Sequence, residues 1–405
     1  MSNVKLSSIN SIKPTSAATI PSDAVEVSIV IPCLDEEDTL ENCLRIAREA
    51  IEKSRLNAEI IVADNNSTDN SAQIARRNGA RVVLIKEKGY GHALMGGIAA
   101  AKGKFIVMGD ADESHDLSEI PNFIEKLSQD FDFVLGCRFP KGGGRISRDS
   151  MSFLHRWIGN PMFSLLVRRW YRVPVHDVNC GFRAFTREFY EKLDLRCTGM
   201  EFAVEMVIKS SFQNARIAEI PITHHPDGRV SHPPHIRTFR DGWRTFRFLL
   251  MYSPRWLFLL PGILLVLFGL VIFGFSQFRI WHGSEIQNNL RNVQTLVIAI
   301  LAVLCGYQSI LFAIFTKSFA INEGLLPVDK QFTKFFEIVN LERGLTAASI
   351  ALFIGTVFLI IGISGSNFLI FDTLHLFFFG ATLIALGFQT ILSGFFTSIL
   401  GMKRK

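Results

Sequence analysis

The chain has 405 residues, of which 48% are hydrophobic and 20% are charged, and its net charge at neutral pH is +6. Residues 1–255 have the composition of a soluble α/β protein, whereas the hydrophobic residues concentrate in residues 256–405, as in a membrane domain. The modest charge comes without a recognisable nucleic-acid-binding motif, so nucleic acid is not an expected partner.

The two ends of the chain do not predict folded structure. Residues 1–24 are polar and rich in Ser, Thr and Pro, and we predict a disordered tail there rather than a signal peptide or an anchor. Residues 401–405 form a short basic tail. The six cysteines include no C-x-x-C pair, which indicates reduced thiols in a cytosol-facing domain.

Apolar runs alternate with helical patterns through the first hundred residues. Strands are predicted at 27–31, 59–63, 81–85 and 104–108, and helices at 38–54, 70–78 and 93–101. Strands that are apolar throughout, in a β-α-β order, predict a mostly parallel sheet with helices on both faces. Such sheets bind ligands at the carboxyl ends of their strands. Four acidic residues and one glycine follow the strands at that edge: Asp35, Glu36, Asp64, Asp110 and Gly89.

The first strand is not followed by G-x-G-x-x-G, and the chain contains no G-x-x-x-x-G-K-[ST]. A dinucleotide enzyme and a P-loop NTPase are therefore disfavoured. Instead, Asp110 and Asp112 come directly after the strand at 104–108. Side chains two positions apart in extended chain point to one side, and two such carboxylates favour a cation between them. The pattern predicts a site for Mg²⁺ or Mn²⁺ with a diphosphate, although D-x-D also occurs in surface turns.

Residues 150–172 combine a wide apolar face with basic residues at 156, 168 and 169. This composition suits helices that lie in a membrane interface, and we expect a break in the helix at Pro161. An ordinary core helix is the alternative.

Four charge-free segments are long enough to cross a bilayer: Trp256–Phe278, Val293–Thr316, Leu345–Phe371, which we expect to end near Ile363, and Leu374–Leu400. The loop between the second and third segments and the carboxyl-terminal tail are rich in Lys and Arg, whereas the loop between the third and fourth has neither. The positive-inside rule then predicts that residues 1–255 and the C-terminus are cytoplasmic, in a multi-pass protein of the cell (inner) membrane. The basic segment 229–255 should contact anionic membrane lipids.

Five short motifs in order resemble those of the family 2 glycosyltransferases with a GT-A fold, and specifically the dolichyl- and polyprenyl-phosphate sugar synthases. The family's P-x-x-N-E corresponds to Pro32–Glu36, V-x-D-D-x-S-x-D to Val62–Asp69, D-A-D to Asp110–Asp112, G-S-R to Gly136–Arg138, and D-x-x-S-G-F-R to Asp177–Arg183. Four residues depart from these patterns: Asp35 replaces Asn, Asn65 replaces Asp, and Cys137 and Cys180 replace Ser.

The resemblance completes a division of the chain into five parts. We expect a GT-A domain with a Rossmann-like, mostly parallel sheet at 25–228, which includes the interfacial helices at 150–172. The tail at 1–24 precedes it, and the juxtamembrane segment at 229–255 follows it. A transmembrane domain of four helices at 256–400 and the basic tail at 401–405 complete the chain.

The activity that the resemblance implies is that of a metal-dependent hexosyltransferase. It would move a hexose, with inversion, from a nucleotide-diphosphate sugar of the UDP-glucose or GDP-mannose class to a polyprenyl (undecaprenyl or dolichyl) phosphate. The transfer would take place at the cytoplasmic membrane face, with Mg²⁺ or Mn²⁺ as cofactor.

The resemblance also implies roles for individual residues. Asp110 and Asp112 would bind the metal, and Asp177, Arg183 and Asp112 would be catalytic. Asp177 would act as a base or position the substrate. Candidates for the acceptor phosphate are Arg183, which would otherwise pair with an acid, and Arg229. The donor would be bound by Pro32, Leu34, Asp35, Glu36, Asp64, Lys88, Gly89, Asp110, Ala111 and Arg138. For Asp64, capping of an Asx turn is the alternative.

One departure concerns the metal directly. Many members of the family have a metal-binding Gln two residues after D-A-D, and this chain has Ser114 there, followed by His115. Ser is a weak ligand, so the diphosphate and water are expected to complete the metal's coordination. His115 is either part of the site or a loop residue with a satisfied ring.

Two other functions stay open at this stage. The same donor chemistry would serve another lipid or a glycan acceptor, although the chain lacks the Q-x-x-R-W motif of processive synthases. A non-catalytic lipid-flipping or transport scaffold is the alternative outside enzymes, and the charge-free spans speak against an ion path through it. The motifs do not decide whether the protein is a homo-oligomer.

Overall fold

The computed structural model describes residues 25–233, 237–281, 289–328, 330–364 and 370–401. The chain divides into two compact units between residues 236 and 237. The predicted tail at 1–24 lies outside the described residues, as does the tail at 401–405 except for Gly401.

The first unit is built on a mixed β-sheet. Its strands are β1 (Val27–Cys33), β2 (Ala58–Asp64), β3 (Arg81–Leu84), β4 (Phe105–Met108), β5 (Phe133–Cys137), β6 (Arg145–Ile146), β7 (Arg183–Thr186), β8 (Ile217–Pro221) and β9 (Thr223–His224). Among the described residues, seven strands form one sheet in the order β3-β2-β1-β4-β7-β5-β8, and β6 pairs with β9. Only β7 runs antiparallel to its neighbours within that sheet, beside β4 and β5.

Helices cover both faces of this sheet, as the apolar strands predicted. The helices of the first unit are α1 (Leu40–Ser54), α2 (Ser71–Arg77), α3 (Tyr90–Ala100), α4 (Ile120–Ser128), α5 (Asn160–Tyr171), α6 (Arg187–Leu193) and α7 (Phe202–Phe212). The predicted α/β class and the GT-A-like sheet are confirmed.

The register of the central strands brings three loops to one edge. β1 pairs in parallel with β2 and β4, so that Cys33 lies opposite Asp64 and Val30 lies opposite Met108. The main chain of Gly109 continues this contact, because its N–H donates to the carbonyl of Val30 at 3.3 Å. The polar residues after β1, β2 and β4 therefore start from neighbouring positions.

Helix α3 lies close to the sheet because it carries a glycine there. A Cβ on Gly97 would lie 2.5 Å from Cγ1 of Val30 and 3.0 Å from Cβ of Ala63. Both neighbours are buried side chains of the central strands, so the approach of α3 depends on the missing methyl group.

The segment at 150–172 is helical, but the predicted break at Pro161 is wrong. A π-helical turn at His155–Gly159 precedes α5, and Pro161 continues the helix in its first turn. The amide of Asn160 bonds to the carbonyl of His155 across the wider turn, and proline is tolerated in a first turn because it needs no N–H partner there. The exposed face of the segment carries large apolar side chains: Phe153, Trp157, Ile158, Met162 and Leu165.

The second unit is helical. Its helices are α8 (Thr238–Met251), α9 (Leu260–Trp281), α10 (Asn289–Asn322), α11 (Lys330–Ile338), α12 (Leu341–Ser364) and α13 (Ile370–Gly401). Four stretches have the length and composition of membrane spans: Arg255–Ser276, Val293–Asn322, Leu341–Ser364 and Leu374–Gly401. The predicted four-helix membrane region is thus confirmed, with a longer second span than the sequence indicated and a third that ends at Ser364.

Small residues let these helices approach each other closely. A Cβ on Gly262 would lie 2.8 Å from the carbonyl oxygen of Gly306, which joins α9 to α10. The same arrangement joins α12 to α13, where a Cβ on Gly355 would lie 2.8 Å from the carbonyl oxygen of Gly380. Each helix pair is packed main chain against main chain at its crossing point.

We predict that Gly97→Ala destabilises the first unit by about 1–3 kcal/mol, because the new methyl group overpacks the contact between α3 and the sheet. Gly159→Ala is the matched control, since the atoms nearest to its Cβ lie at 3.6 Å or beyond. Thermal unfolding of the purified protein measures the difference. Equal melting temperatures for the two variants would contradict the proposed close contact.

Candidate active site

The D-A-D loop that follows β4 holds its two acids in fixed positions. Tyr90 donates its hydroxyl proton to Oδ1 of Asp110 at 3.0 Å. Oδ1 of Asp112 accepts from both the amide and the hydroxyl of Ser114, at 3.1 and 2.6 Å. A Cβ on Gly181 would collide with the carboxylate of Asp110, so the loop at 177–183 packs directly against that acid.

The two acids repel one another. Burial, and then the charge of Asp112, raise the pKa of Asp110 to about 6. A cation beside the pair would relieve this repulsion, and carboxylate oxygens are the ligands that Mg²⁺ and Mn²⁺ prefer. Asp110 and Asp112 therefore fit a divalent cation whose other ligands are oxygens.

Two buried histidines lie beside this pair. Nδ1 of His115 lies 3.4 Å from Oδ2 of Asp110, and the ring of His224 lies 5.9 Å from that of His115. Burial lowers the pKa of each to about 4, so both rings are neutral at pH 7. Neither Nδ1 atom has a hydrogen-bond partner among the described residues. The ring of His115 is therefore only partly satisfied by hydrogen bonds, and it lies beside the D-A-D pair.

The loops after β1 and β2 support each other. Oδ1 of Asp35 accepts from the amide of Thr68 at 2.6 Å, and the amide of Asp35 donates to the hydroxyl of Ser67 at 3.0 Å. Oδ1 of Asp64 accepts from the amide of Ser67 at 3.0 Å. This bond, from an amide three residues further along the chain, gives the buried Asp64 a turn-capping contact of the kind that the sequence left as its alternative role.

Asn65, one of the departures from the family pattern, ties the loop after β2 to the glycine loop. Its amide nitrogen donates to the carbonyls of Ile85 and Glu87, and its oxygen accepts from the amide of Gly89. Gly89 has φ of 144°, and a Cβ there would collide with the carbonyl of Thr198. The conformation of the loop around Gly89 therefore requires glycine.

The other predicted donor residues near these loops differ in exposure. Ala111 is buried in the D-A-D loop, Pro32 and Leu34 are half-buried, and Lys88 is exposed. None of these side chains contributes a charge to the buried part of the site, so their predicted contacts with the donor stay predictions.

Arg229 joins two of the predicted donor loops. Its Nε and Nη2 atoms donate to the two carboxylate oxygens of Glu36, and Nη1 donates to Asp227 at 2.5 Å. Nη1 also lies 3.5 Å from Oδ2 of Asp112. Burial opposes the charge, but these acids outweigh it and raise the pKa of Arg229. Arg229 thus lies at the edge of the D-A-D pair, and Glu36 is part of an ion pair.

Asp177 is completely buried and forms a bidentate ion pair with Arg138. Nε of Arg138 donates to Oδ2 at 2.7 Å, and Nη2 donates to Oδ1 at 2.9 Å. Burial alone would raise the pKa of Asp177, but the charge and hydrogen bonds of Arg138 outweigh it and lower the pKa. Asp177 is therefore ionised at neutral pH, and Arg138, predicted to contact the donor, is engaged with it.

Arg183 makes none of the contacts that were predicted for it in this structure. Its side chain has no exposed surface, and its three donor groups bond to the carbonyls of Cys180, Val178 and Ala203 at 2.7, 2.6 and 2.5 Å. It therefore neither faces a phosphate nor pairs with an acid. Arg183 instead holds the loop at 177–183 to α7 from within the core.

Three residues at this site were not predicted from the sequence to belong to it: Tyr90, Asn65 and His224. Tyr90 follows the glycine whose loop was singled out, and that position is the one local signal for it. His224 is 109 residues from His115 in the chain by their numbers, and the bridge between their main chains arises only in the fold.

We predict that Arg183→Met lowers the free energy of unfolding by about 3 kcal/mol or more, because it removes three hydrogen bonds from a buried guanidinium to main-chain carbonyls. Arg148→Met is the control, since the side chain of Arg148 is 97% exposed. Chemical unfolding of both variants measures the effect. A phosphate-binding role would leave the stability of Arg183→Met unchanged.

A second prediction concerns pH. The folded-state pKa of Asp177 is lowered, so its pairing stabilises the fold above the unfolded pKa near 3.9 and loses its effect as pH falls through the folded value. Asp177→Asn should therefore unfold more easily at pH 7 by about 3–5 kcal/mol, and its difference from the wild type should shrink below about pH 4.

Unfolding curves between pH 3 and 7 check this difference. Asp149→Asn is the control, since the side chain of Asp149 is 92% exposed and its replacement should leave the curves unchanged. A difference for Asp177→Asn that is constant over the whole range would contradict the ion pair.

Comparisons with known proteins agree with the motifs. Residues 28–194 match the family model "Glycosyl transferase family 2", and residues 314–401 match "Glycosyltransferase family 2 C-terminal transmembrane region". The low-salt glycan biosynthesis hexosyltransferase Agl6 of Haloferax volcanii is 35% identical over 336 residues, which are 82% of this chain and 78% of the relative. A dolichyl-phosphate hexose transferase of the same organism is 31% identical over 168 residues, 41% of this chain and 70% of the relative.

Among solved structures, glucosyl-3-phosphoglycerate synthase from Mycobacterium tuberculosis, in complex with Mn²⁺, UDP and glucosyl-3-phosphoglycerate, has a TM-score of 0.44 and 21% identity, covering 56% of this chain and 78% of that one. The long match to Agl6 confirms the predicted family. The chain therefore belongs to glycosyltransferase family 2 and is a membrane-embedded glycosyltransferase with the transmembrane region of that family.

Proposed function

We propose that this chain transfers a hexose from a nucleotide-diphosphate sugar of the UDP-glucose or GDP-mannose class to a polyprenyl phosphate. The observation that carries the proposal is the state of Asp177, which is ionised, buried and bonded through both oxygens to Arg138. A relative named dolichyl-phosphate hexose transferase supports the same acceptor class.

The state of Asp177 favours a phosphate acceptor over a hydroxyl acceptor. A hydroxyl acceptor must lose a proton during transfer, and a base that serves it needs a pKa near the working pH and access to the proton. Asp177 has a lowered pKa and no exposed surface. A phosphate monoester has a second pKa near 6 and is already largely ionised at pH 7, so it needs no such base. Asp177 then acts by positioning Arg138.

Asp110 and Asp112 would hold the Mg²⁺ or Mn²⁺ ion. When bound, the ion would offset the negative charge that develops on the departing nucleoside diphosphate. The chain's own part is to keep the two carboxylates in place through Tyr90 and Ser114, with both side chains partly buried.

Arg229 is the remaining candidate for a phosphate contact, since Arg183 is enclosed in the core. Its guanidinium bonds to Glu36 and Asp227 and lies 3.5 Å from Asp112. The two bonded acids fix its orientation at the edge of the metal pair. A phosphate that arrives at that edge would find the guanidinium of Arg229 already in position to bind it.

The lipid would approach along the exposed face of the π-helical turn and α5. Phe153, Trp157 and Leu165 are exposed there, and Arg156, Arg168 and Arg169 supply positive charge. Apolar side chains and cations suit the acyl and phosphate parts of an interface. Loop charges favour the cytoplasmic side of the cell membrane for residues 25–228, with segment 229–255 beside anionic lipids.

The test is transfer by the full-length protein in lipid nanodiscs. It would be incubated with Mn²⁺ or Mg²⁺, polyprenyl phosphate and one labelled nucleotide sugar at a time, and the labelled lipid would be extracted. Parallel reactions with diacylglycerol and with a soluble glycan examine the other acceptors. Product on diacylglycerol or glycan alone would overturn the proposed acceptor, and no product from any donor would overturn the transferase function.

We predict that Asp112→Asn lowers the rate of this transfer by about 100-fold or more, the size expected when charge stabilisation of a transition state is lost. Asp149→Asn is the matched control, because its exposed carboxylate lies outside the site. Initial rates at saturating donor measure the effect. Full activity of Asp112→Asn would contradict the role of the D-A-D pair.

A further inference from the structure

A residue next to one departure from the family's motifs contacts a second departure inside the protein. His115 is in the segment after D-A-D where Ser114 replaces the usual Gln, and Cys180 replaces Ser in the loop at 177–183. They are 65 positions apart in the chain, yet Nε2 of His115 lies 3.9 Å from Sγ of Cys180, and both side chains are buried. The opposite side of the same ring faces the metal pair, with Nδ1 3.4 Å from Oδ2 of Asp110.

We propose that Cys180, His115 and Asp110 form a positioning chain in which the thiol fixes the imidazole and the imidazole orients the Asp110 carboxylate toward a divalent cation. The inference rests on the proposed metal-assisted transfer and deepens it. It assigns to His115 an indirect role, because the ring acts on the cation through Asp110.

The neighbours of the His115 ring determine which of its two nitrogens carries the proton. A neutral imidazole carries one N–H. If that proton were on Nε2, the lone pair of Nδ1 would face the carboxylate oxygen of Asp110, which is unfavourable. The proton therefore belongs on Nδ1, and the lone pair of Nε2 faces Cys180. Burial raises the pKa of Cys180 to about 12, so its sulfur retains the proton that it can share between Nε2 and the carbonyl of Phe182, 3.8 Å away.

The neighbours of Asp110 limit the orientations that its carboxylate can adopt. Tyr90 bonds to Oδ1 of Asp110 at 3.0 Å, and Gly181 leaves no room for the carboxylate to turn toward the loop. His115 itself packs against Phe182, with ring centroids 5.7 Å apart. Partners that orient a ligand in this way typically change metal affinity by about 10–100-fold when they are removed.

The test measures binding of Mn²⁺ to the full-length protein in nanodiscs by electron paramagnetic resonance, with Mn²⁺ alone and with Mn²⁺ plus UDP or GDP. We expect His115→Phe, which keeps the contact with Phe182, to weaken Mn²⁺ binding about 10-fold or more. Cys180→Ala should weaken it less, and Cys180→Ser should regain most of that loss because its hydroxyl donates in place of the thiol. Cys305→Ala, which removes an exposed thiol, should bind as the wild type does.

Thermal unfolding without metal shows whether each variant is folded, so that a loss of affinity is not a loss of structure. Wild-type Mn²⁺ affinity in a folded His115→Phe variant would overturn the positioning chain and leave the proposed transfer intact. A ¹⁴N coupling in the Mn²⁺ spectrum that disappears in His115→Phe would also overturn it, since the nitrogen would then be a direct ligand. Absence of Mn²⁺ binding in the wild type, under every condition, would overturn the positioning chain and the proposed metal dependence together.

Discussion

The site is organised by the electrostatic cost of gathering carboxylates at one edge of a sheet. Glu36, Asp110, Asp112 and Asp177 all lie in loops that the register of β1, β2 and β4 or the fold of the 177–183 loop brings to this region. Two arginines offset part of the charge. Arg138 neutralises Asp177, and Arg229 pairs with Glu36. The pair at Asp110 and Asp112 keeps an excess of negative charge, and burial together with the charge of Asp112 raises the pKa of Asp110.

This distribution separates two kinds of acid within a small volume. On folding, Asp177 loses its contact with water and gains a bidentate ion pair with a guanidinium, which keeps it ionised and fixed in position. Asp110 instead contacts a phenol hydroxyl and the edge of a neutral imidazole. These two groups stabilise an anion far less than a guanidinium does. The same residue type therefore serves a structural pair in one loop and a cation-binding pair in the next, because the neighbours differ.

Much of this arrangement could be predicted from the sequence, and the physical reasons are local. Continuous apolar runs specify buried parallel strands, and polar residues just after them must lie at one edge, which placed Asp64 and Asp110 correctly relative to β2 and β4. The D-A-D spacing by itself indicates two neighbouring carboxylates that favour a cation between them. The length and lack of charge of the four spans follow from the bilayer.

Other features depend on contacts that no local pattern specifies. Arg183 stands in a functional motif, but whether its guanidinium faces solvent or three carbonyls depends on α7, which supplies Ala203. Pro161 suggested a break because a π-helical turn cannot be read from composition. The contact of His115 with Cys180 joins loops far apart in the chain, so Cys180 looked like an isolated substitution.

The change from Gln to Ser at position 114 and the change from Ser to Cys at position 180 both bear on His115. A Gln after D-A-D would offer a neutral oxygen to the cation directly. His115 instead contacts Asp110, a proposed ligand of the cation. It needs a partner on its other nitrogen to hold one tautomer. A serine at position 180 would supply that partner as a hydroxyl, and the thiol supplies it as a weaker donor in a bulkier, more apolar atom. In a pocket closed by Phe182 and buried from water, the sulfur fills space that a hydroxyl would leave. The side chain of Cys180 therefore both fills the space beside the ring of His115 and donates a proton to it. The residue at position 180 thus determines the packing and the tautomer of that ring.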